Sequence, residues 1–278
     1  MKKRAKVKEN APGDWSIPPL RPEDNKYTRG HVLILGGSTL TGASKLAARA
    51  AQRAGAGMVT LATTAAAWPV YAAAMESALV RPCTSKEWAA LVADARISAV
   101  LIGPGAGLQA RTKSAIRAAA KAGKTLILDA DALTLLAGDA PLRQTMASSP
   151  MILTPHAGEY ARLAAALGLN PAGDKAARAR ALARAMKAVV VLKGSETIVA
   201  DGQGKLLITR PPAWLASAGT GDVLAGIIAA LVAQGMTVFE AASAGVWLHA
   251  AAARAHGPGM IAEDVIVSIP AALRAALA

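Results

Sequence analysis

The sequence predicts an α/β fold built as one doubly wound domain, and three patterns carry that prediction. Short apolar runs recur at 32–35, 58–62, 99–102, 125–128, 151–153 and 189–192. Helical stretches at 42–55, 109–122, 156–167 and 174–187 separate them. Two further runs, 197–200 and 205–209, flank Asp201-Gly202-Gln203-Gly204, which is a hairpin signal. Continuous apolar strands alternating with helices indicate a mostly parallel sheet covered on both faces. Its crossovers should be right-handed, and the hairpin should make one edge antiparallel.

Taken in order, residues 1–25 form a basic arm with Pro12, Pro18, Pro19 and Pro22, expected to be extended and partly disordered. Residues 26–278 then read as a single domain without internal repeats or a second linker. Strand 32–35 runs into Gly36-Gly37-Ser38, and Thr41-Gly42-Ala43 opens a helix. Strand 99–102 runs into Gly103-Pro104-Gly105-Ala106-Gly107, and strand 125–128 into Asp129-Ala130-Asp131. Strand 151–153 ends in Thr154-Pro155-His156-Ala157-Gly158-Glu159, and strand 189–192 in Lys193-Gly194. The helix at 174–187 carries Lys175, Arg178, Arg180, Arg184 and Lys187, read as a solvated face. The final third is helical, over 219–234, 237–256 and 262–276.

Composition narrows the function classes. Hydrophobic residues make up 53% of the chain but aromatics only 3%, so alanine and valine must fill much of a sizeable core. The formal net charge of +13 suits anionic small molecules. Lys2, Lys3, Arg4, Lys6 and Lys8 contribute part of it. Scarce aromatics and the lack of a nucleic-acid-binding signature argue against DNA or RNA. No apolar stretch reaches the ~18–20 residues of a membrane span. The N-terminus is basic without an apolar region behind it, so it is not a secretory signal. The lone Cys83 excludes an intramolecular disulfide and fits a reducing cytoplasm; it reads as a small packed or surface thiol.

The chemistry concentrates in residues 218–226, Ala-Gly-Thr-Gly-Asp-Val-Leu-Ala-Gly. A helix start presents unpaired N–H groups and the positive end of the helix dipole. Flanking glycines let an anion, typically phosphate, approach that backbone. Asp222 would repel phosphate, and it makes sense as the acceptor of a proton from a hydroxyl attacking a phosphoryl group. The plainer reading is a helix cap. The strand ends carry the same ambiguity: tight turns for the glycines, a cap for Asp131, a helix entry for Thr154 and Pro155 with His156 incidental, and a solvent-facing turn for Lys193. Ligands of open α/β sheets bind beyond the carboxyl ends of strands, and five such ends plus the Asp222 turn converge there. That inventory suits phosphoryl chemistry on an anionic substrate. His249 and His256 lie seven apart on a helix, with no Cys or Glu to complete a zinc set. Magnesium carried on nucleotide phosphates fits better, with Asp129 or Glu159 placed to approach it.

The ordered set RGHVLILGGSTLTGASKLAARAAQRAGAGMVTLAT, GPGAG, ILDADALTLLA, LTPHAGEYARL, VVLKGSETIV and GTGDVLAGIIAALVAQG resembles the ADP- or ATP-dependent NAD(P)H-hydrate dehydratases over about residues 26–276. The resemblance implies a ribokinase-like three-layer α/β/α fold. It implies a repair reaction, in which the S epimer of hydrated NADH or NADPH is dehydrated at the expense of a nucleotide. ADP, giving AMP and phosphate, is the expected donor, with Mg2+ accompanying it. It implies hydrated-dinucleotide contacts at Ala43, Gly107, His156 and Asp222. It implies an adenine-nucleotide site at Lys193, Gly194, Ser195, Glu196 and Thr197 with Gly219, Thr220 and Gly221. Asp222 becomes the catalytic residue. A homotetramer and a separate upstream epimerase are further implications.

Three departures stand out. Leu40 replaces the usual Tyr before Thr41, Ala157 replaces a proline, and Arg210-Pro211-Pro212-Ala213-Trp214 replaces an Asn-Gly-Asn-Pro-like approach to the turn. The rival readings are an ATP-dependent alcohol kinase of the same fold, of thiazole or pyridoxal type, and a non-catalytic nucleotide sensor.

Overall fold

The computed structural model of the chain describes residues 7–170 and 173–278. The N-terminal half runs β1 (Lys8–Glu9), β2 (His31–Leu35), α1 (Thr41–Arg53), β3 (Met58–Thr63), α2 (Trp68–Ala72), β4 (Leu79–Pro82), α3 (Ser85–Ala93), β5 (Ala99–Ile102) and α4 (Ala110–Lys121). It continues through β6 (Thr125–Leu128), α5 (Asp131–Gly138), α6 (Ala140–Thr145), β7 (Met151–Leu153), α7 (Ala157–Ala166) and α8 (Lys175–Met186). Then follow β8 (Val189–Leu192), β9 (Thr197–Ala200), β10 (Leu206–Thr209), a 3-10 turn (Ala213–Leu215), α9 (Thr220–Ala233), α10 (Val238–His256) and α11 (Ala262–Leu277).

The strands form one sheet in the order β1-β10-β9-β8-β7-β6-β5-β2-β3-β4. Every pairing from β8 to β4 is parallel, while β9 is antiparallel to both β8 and β10. The sheet is therefore mostly parallel with an antiparallel hairpin, as expected, and β1 adds in parallel outside that hairpin. Strand order reverses between β2 and β5, which opens a crevice at the carboxyl ends of those strands.

Side chains alternate across the strands. Val32 and Ile34 face a core shared with α1, α9, α10 and α11, while Leu33 and Leu35 face a second core under α3 to α8. The α/β/α layering follows. Helix α9 is buried at every position from Val223 to Ala233, which explains its unbroken apolar run. It lies so close to α1 that a Cβ on Gly226 would sit 2.1 Å from the Ala47 carbonyl oxygen. Small residues make that crossing feasible in a core with few aromatics. Among the described residues no helix is long and apolar enough to cross a membrane.

Several elements escaped the sequence reading. β4 is an exposed edge strand carrying Arg81 and Pro82, so it lacks an apolar run. α2, α5 and α6 are only five to eight residues long. α3 begins with a Thr84–Glu87 capping box that was legible in the sequence.

The N-terminal arm is extended but anchored. Asn10 is buried, donating through Nδ2 to Thr209 Oγ1 (3.0 Å) and the Ser243 carbonyl (2.7 Å). Its Oδ1 accepts from Trp15 Nε1 at 2.9 Å, and Trp15 packs edge-on to Trp247 in the first core. Burial of an indole and a saturated amide overrides the proline-rich composition there. Lys2, Lys3, Arg4 and Lys6 lie outside the described residues.

Candidate functional site

A cleft of about 700 Å3 opens beyond the carboxyl ends of β7 and β8, against the start of α9. His156, Ala157, Lys193, Gly194, Ser195 and Thr197 wall one side. Thr220 and Gly221, at the start of α9, also line it. Pro211, Pro212, Ala213 and Leu215 of the segment before α9 line it too, with Leu224 and Val246. The divergent 210–214 segment thus lines the cleft, and Trp214 pins it by donating to the Ala253 carbonyl (3.0 Å).

The start of α9 has the shape of an anion cradle. Gly219 adopts a left-handed conformation (φ 84°), and no side chain caps the helix. The first-turn amides of a helix have no intrahelical acceptor. Thr220 Oγ1 donates instead to the Leu215 and Ser217 carbonyls, both at 2.8 Å. A Cβ on Gly221 would sit 3.3 Å from Lys193 Nζ, so that ammonium group stands against the cradle. Lys193 is not a solvent-facing turn lysine: its side chain is 19% exposed and donates to Asp129 Oδ1 at 2.9 Å. Asp129 itself is buried.

Asp222 does not cap the helix; it occupies the third helical position. Burial, reinforced by the negative charge of Asp129, pushes its carboxyl up to about 7, against the pull of Lys193; Asp131 and Glu159 add to the rise. For Lys193, burial pulls downward, yet Asp129, Glu159 and Asp222 outweigh it and the ammonium is held above its usual range. Three carboxylates, Asp129, Glu159 and Asp222, therefore act on one lysine, and Asp222 has the proton affinity of a base suited to neutral pH.

The strand-end loops meet backbone on backbone. A Cβ on Gly37 would fall 1.8 Å from the Gly105 carbonyl oxygen, and one on Gly103 1.8 Å from that of Asp129. Asp131 makes no cap bond at α5; its Oδ2 accepts the Gly107 N–H at 2.8 Å. Asp131 thereby ties the Gly-rich loop after β5 to the acid cluster around Asp222. His156 is the N-cap of α7: Nδ1 accepts from the Gly158 and Glu159 amides (3.0 and 3.4 Å), and Glu159 Oε2 accepts the His156 N–H (2.8 Å). An accepting Nδ1 puts the neutral ring's proton on Nε2, which lies 3.4 Å from Glu159 Oε1.

The structure gathers His156, Lys193, Gly194, Ser195, Thr197, Thr220 and Gly221 in one cleft wall. Ala43, Gly107, Glu196, Gly219, Asp129, Glu159 and Asp222 are not part of that wall. Asp222 follows Gly221 at its border and faces the acid cluster. Ala43 sits in the first turn of α1 and Gly107 after β5, both at the crevice of the strand-order reversal. Glu196 pairs outward with Arg210 (3.0 Å), which also pairs with Glu9 of β1. Lys175 leaves the expected solvated face of α8: half-buried, it donates to the Lys193 carbonyl (2.8 Å) and to that of Glu196, bracing the turn after β8. Sequence reasoning missed this brace, the tie made by Asp131, and His249 as part of the cleft wall. The signal for His249 was a polar residue one turn beyond Val246 on an apolar helix face. Among the described residues no three His, Cys, Asp or Glu side chains form a metal-binding group. Cys83 is buried, and burial pushes its thiol up.

Comparison with known proteins matches residues 32–270 to a family model described as NAD(P)H-hydrate dehydratase. The chain is 39% identical over 236 residues to a bifunctional NAD(P)H-hydrate repair enzyme of Mycobacterium tuberculosis, covering 82% of this chain and 46% of that protein. It thus spans about half the length of the first curated relatives it matches. It is 38% identical to an ADP-dependent (S)-NAD(P)H-hydrate dehydratase of Xanthomonas campestris, covering 91% of each. The solved structure of a Bacillus subtilis ADP/ATP-dependent NAD(P)H-hydrate dehydratase, co-crystallised with ATP and Mg2+, superposes with a TM-score of 0.81 at 27% identity. That match covers 98% of this chain and 100% of that one.

Proposed function

The chain belongs to the NAD(P)H-hydrate dehydratase family, and from that premise we propose that it dehydrates the S epimer of hydrated NADH or NADPH, using ADP and releasing AMP and phosphate. The observation that carries this reading is Asp222: a partly buried carboxyl with an affinity for protons near neutrality, next to a helix-start anion cradle.

The cleft takes the nucleotide. Lys193, Gly194, Ser195 and Thr197 line it, and its phosphates lie on Lys193 and the first turn of α9, from Gly219 to Gly221. The hydrated nicotinamide lies on the crevice side, near Ala43, Gly107 and His156. Asp222, at the border, accepts the proton of the ring hydroxyl as that oxygen attacks the terminal phosphoryl group. Amides of the α9 first turn and the Lys193 ammonium stabilise the charge that develops on the group in flight. The ring nitrogen's lone pair then drives cleavage of the carbon–oxygen bond, with phosphate leaving. Loss of a proton from the neighbouring ring carbon restores the dihydronicotinamide. General-base help of this kind is worth ~10²–10⁴ in rate.

Magnesium bound to the nucleotide would supply neutralisation of phosphate charge. The excess of carboxylates over cations around Lys193 fits such a cation, and Asp129 and Glu159 are the side chains to approach it. ADP as donor is supported by the Xanthomonas relative's name. The bifunctional relatives support an epimerase supplying the S epimer. A homotetrameric assembly and a cytoplasmic setting complete the proposal; the latter fits a free, buried thiol at Cys83.

The test is incubation of the full chain with hydrated NADH and ADP or ATP. Recovery of reduced-nicotinamide absorbance with equimolar phosphate supports dehydration. A stable phosphorylated product would reassign the chain as a kinase, and binding without turnover would make it a sensor.

A further inference from the structure

Two separate stretches of chain that line the cleft are joined by a side chain that does not. The turn after β8 contributes Ser195 and Thr197, and the segment before α9 contributes Pro211, Pro212 and Ala213. Glu196 lies between the first pair, and Arg210 directly precedes the second stretch. Arg210 donates through Nε to Glu196 Oε1 at 3.1 Å, and its Nη2 lies 3.0 Å from the same oxygen. Its Nη1 donates to Glu9 Oε2 of β1, which brings the N-terminal arm into the same contact. Arg210, Glu196 and Glu9 are all absent from the cleft lining.

The last turn of α10 holds the segment as well. The Arg210 carbonyl accepts from Arg254 Nη2, and four residues on Trp214 Nε1 donates to the Ala253 carbonyl at 3.0 Å. The backbone bonds made within the segment amount to one 3-10 turn: Leu215 N–H to the Pro212 carbonyl (3.1 Å) and Ala216 N–H to that of Ala213 (3.0 Å). Pro211 and Pro212 have no N–H to give. A segment so poor in backbone bonds depends on contacts made by its side chains and ends. At its far end the Leu215 carbonyl accepts from Thr220 Oγ1 at 2.8 Å, which links it to the first turn of α9. Arg210 is thus the point at which the segment is fixed to the turn that follows Lys193.

We propose that Arg210 is a positioning residue: paired with Glu196, it holds segment 211–215 to the turn after β8 and so raises the affinity of the cleft for its nucleotide. Glu196 acts through Arg210 and does not touch the nucleotide. The inference rests on the cleft being the nucleotide site. It deepens that reading by naming the pair that ties two of its lining segments together. With the Arg210 side chain 58% exposed and that of Glu196 47%, water screens the pair and the effect is a modest one.

The test uses the full chain, read without nucleotide and with ADP. In the free protein, Arg210→Met should speed amide hydrogen exchange at Leu215 and Ala216, whose N–H groups close the 3-10 turn, and leave exchange in β5 and β6 unchanged. By calorimetry at low ionic strength, Arg210→Met and Glu196→Gln should each weaken ADP binding about two- to fivefold, the scale of an exposed ion pair. KM for ADP should rise in step while kcat keeps its wild-type value. The double variant should lose no more than the weaker-binding single variant, because both changes remove one shared contact. Salt at about 0.5 M should narrow the gap between wild type and variants. Arg210→Lys, which keeps the charge without the planar fork, should recover part of the loss. Additive losses in the double variant would mean that Glu196 touches the nucleotide itself, and they overturn the proposal. So do unchanged exchange at Leu215 and Ala216, wild-type ADP affinity in Arg210→Met, or a gap that salt leaves undiminished. Wild-type protein that binds no adenine nucleotide overturns the cleft reading itself, and the role of Arg210 in affinity with it, whatever the exchange rates.

Discussion

Asp222→Asn should make the fold more stable at neutral pH while removing the proposed activity. The carboxyl is displaced from 3.8 to about 7, roughly 3 units at about 1.36 kcal/mol each, which sets a ceiling of about 4 kcal/mol. Asp222 is partly exposed to solvent, so screening brings the expected effect to about 2 kcal/mol. The direction follows from proton linkage. Above its ordinary value the unfolded carboxyl ionises freely, while the folded one holds its proton until about pH 7. The wild-type chain therefore loses stability as pH rises from about 4 to about 7, and a neutral amide does not. Urea unfolding of both proteins at about pH 4, 5.5, 7 and 8 reads this directly. The two stabilities should agree near the acid end, diverge through the window, and stay apart above it. Curves that run parallel across the whole range would mean that Asp222 is an ordinary solvated carboxyl, and the argument from its environment would fail.

The same carboxyl predicts that kcat/KM for the hydrate rises with pH to a plateau above about 7, and a profile already flat below pH 5 would contradict it. Lys193→Met strands the buried Asp129 carboxylate. It should cost about 3–5 kcal/mol in unfolding free energy and weaken ADP binding; unchanged denaturation would show that the pair is not buried as described. Trp15→Ala removes the indole that joins the arm to the first core. A loss of about 3–5 kcal/mol is expected by chemical denaturation, against nearly none if the arm were loose. Gly226→Ala drives a methyl to within 2.1 Å of the Ala47 carbonyl oxygen. It should cost about 1–3 kcal/mol, seen as a lowered Tm, with an unchanged Tm refuting the close crossing of α1 and α9.

Much of this architecture was legible because burial on both faces writes strands as plain apolar runs. β2, β5, β6, β7 and β8 are buried at nearly every position, and each appears in the sequence as such a run. β4 was invisible for the converse reason, being an exposed edge. The arm misled because its prolines describe an extended backbone but not where it lies; the anchors are single side chains, Asn10 and Trp15, whose partners are about 200 residues away or more. In the site, Lys193 and the α9 turn could be read from local motifs. The roles of Asp131 and Lys175 could not. Asp131 looks like a cap and Lys175 like a surface lysine until the fold brings Gly107 to the one and the Lys193 carbonyl to the other. His249 shows the same limit, since only the packing of α10 on the cleft separates a wall residue from an ordinary core histidine.

The most direct measurement is a single-turnover reaction of wild-type and Asp222→Asn protein with hydrated NADH and saturating ADP, alongside the ADP dissociation constant of each. NADH and phosphate should appear together in the wild type, the rate should fall by about 10²-fold or more in the variant, and ADP affinity should stay the same within a few-fold. A variant that regenerates NADH at close to the wild-type rate would place the proton transfer elsewhere and contradict the role of Asp222.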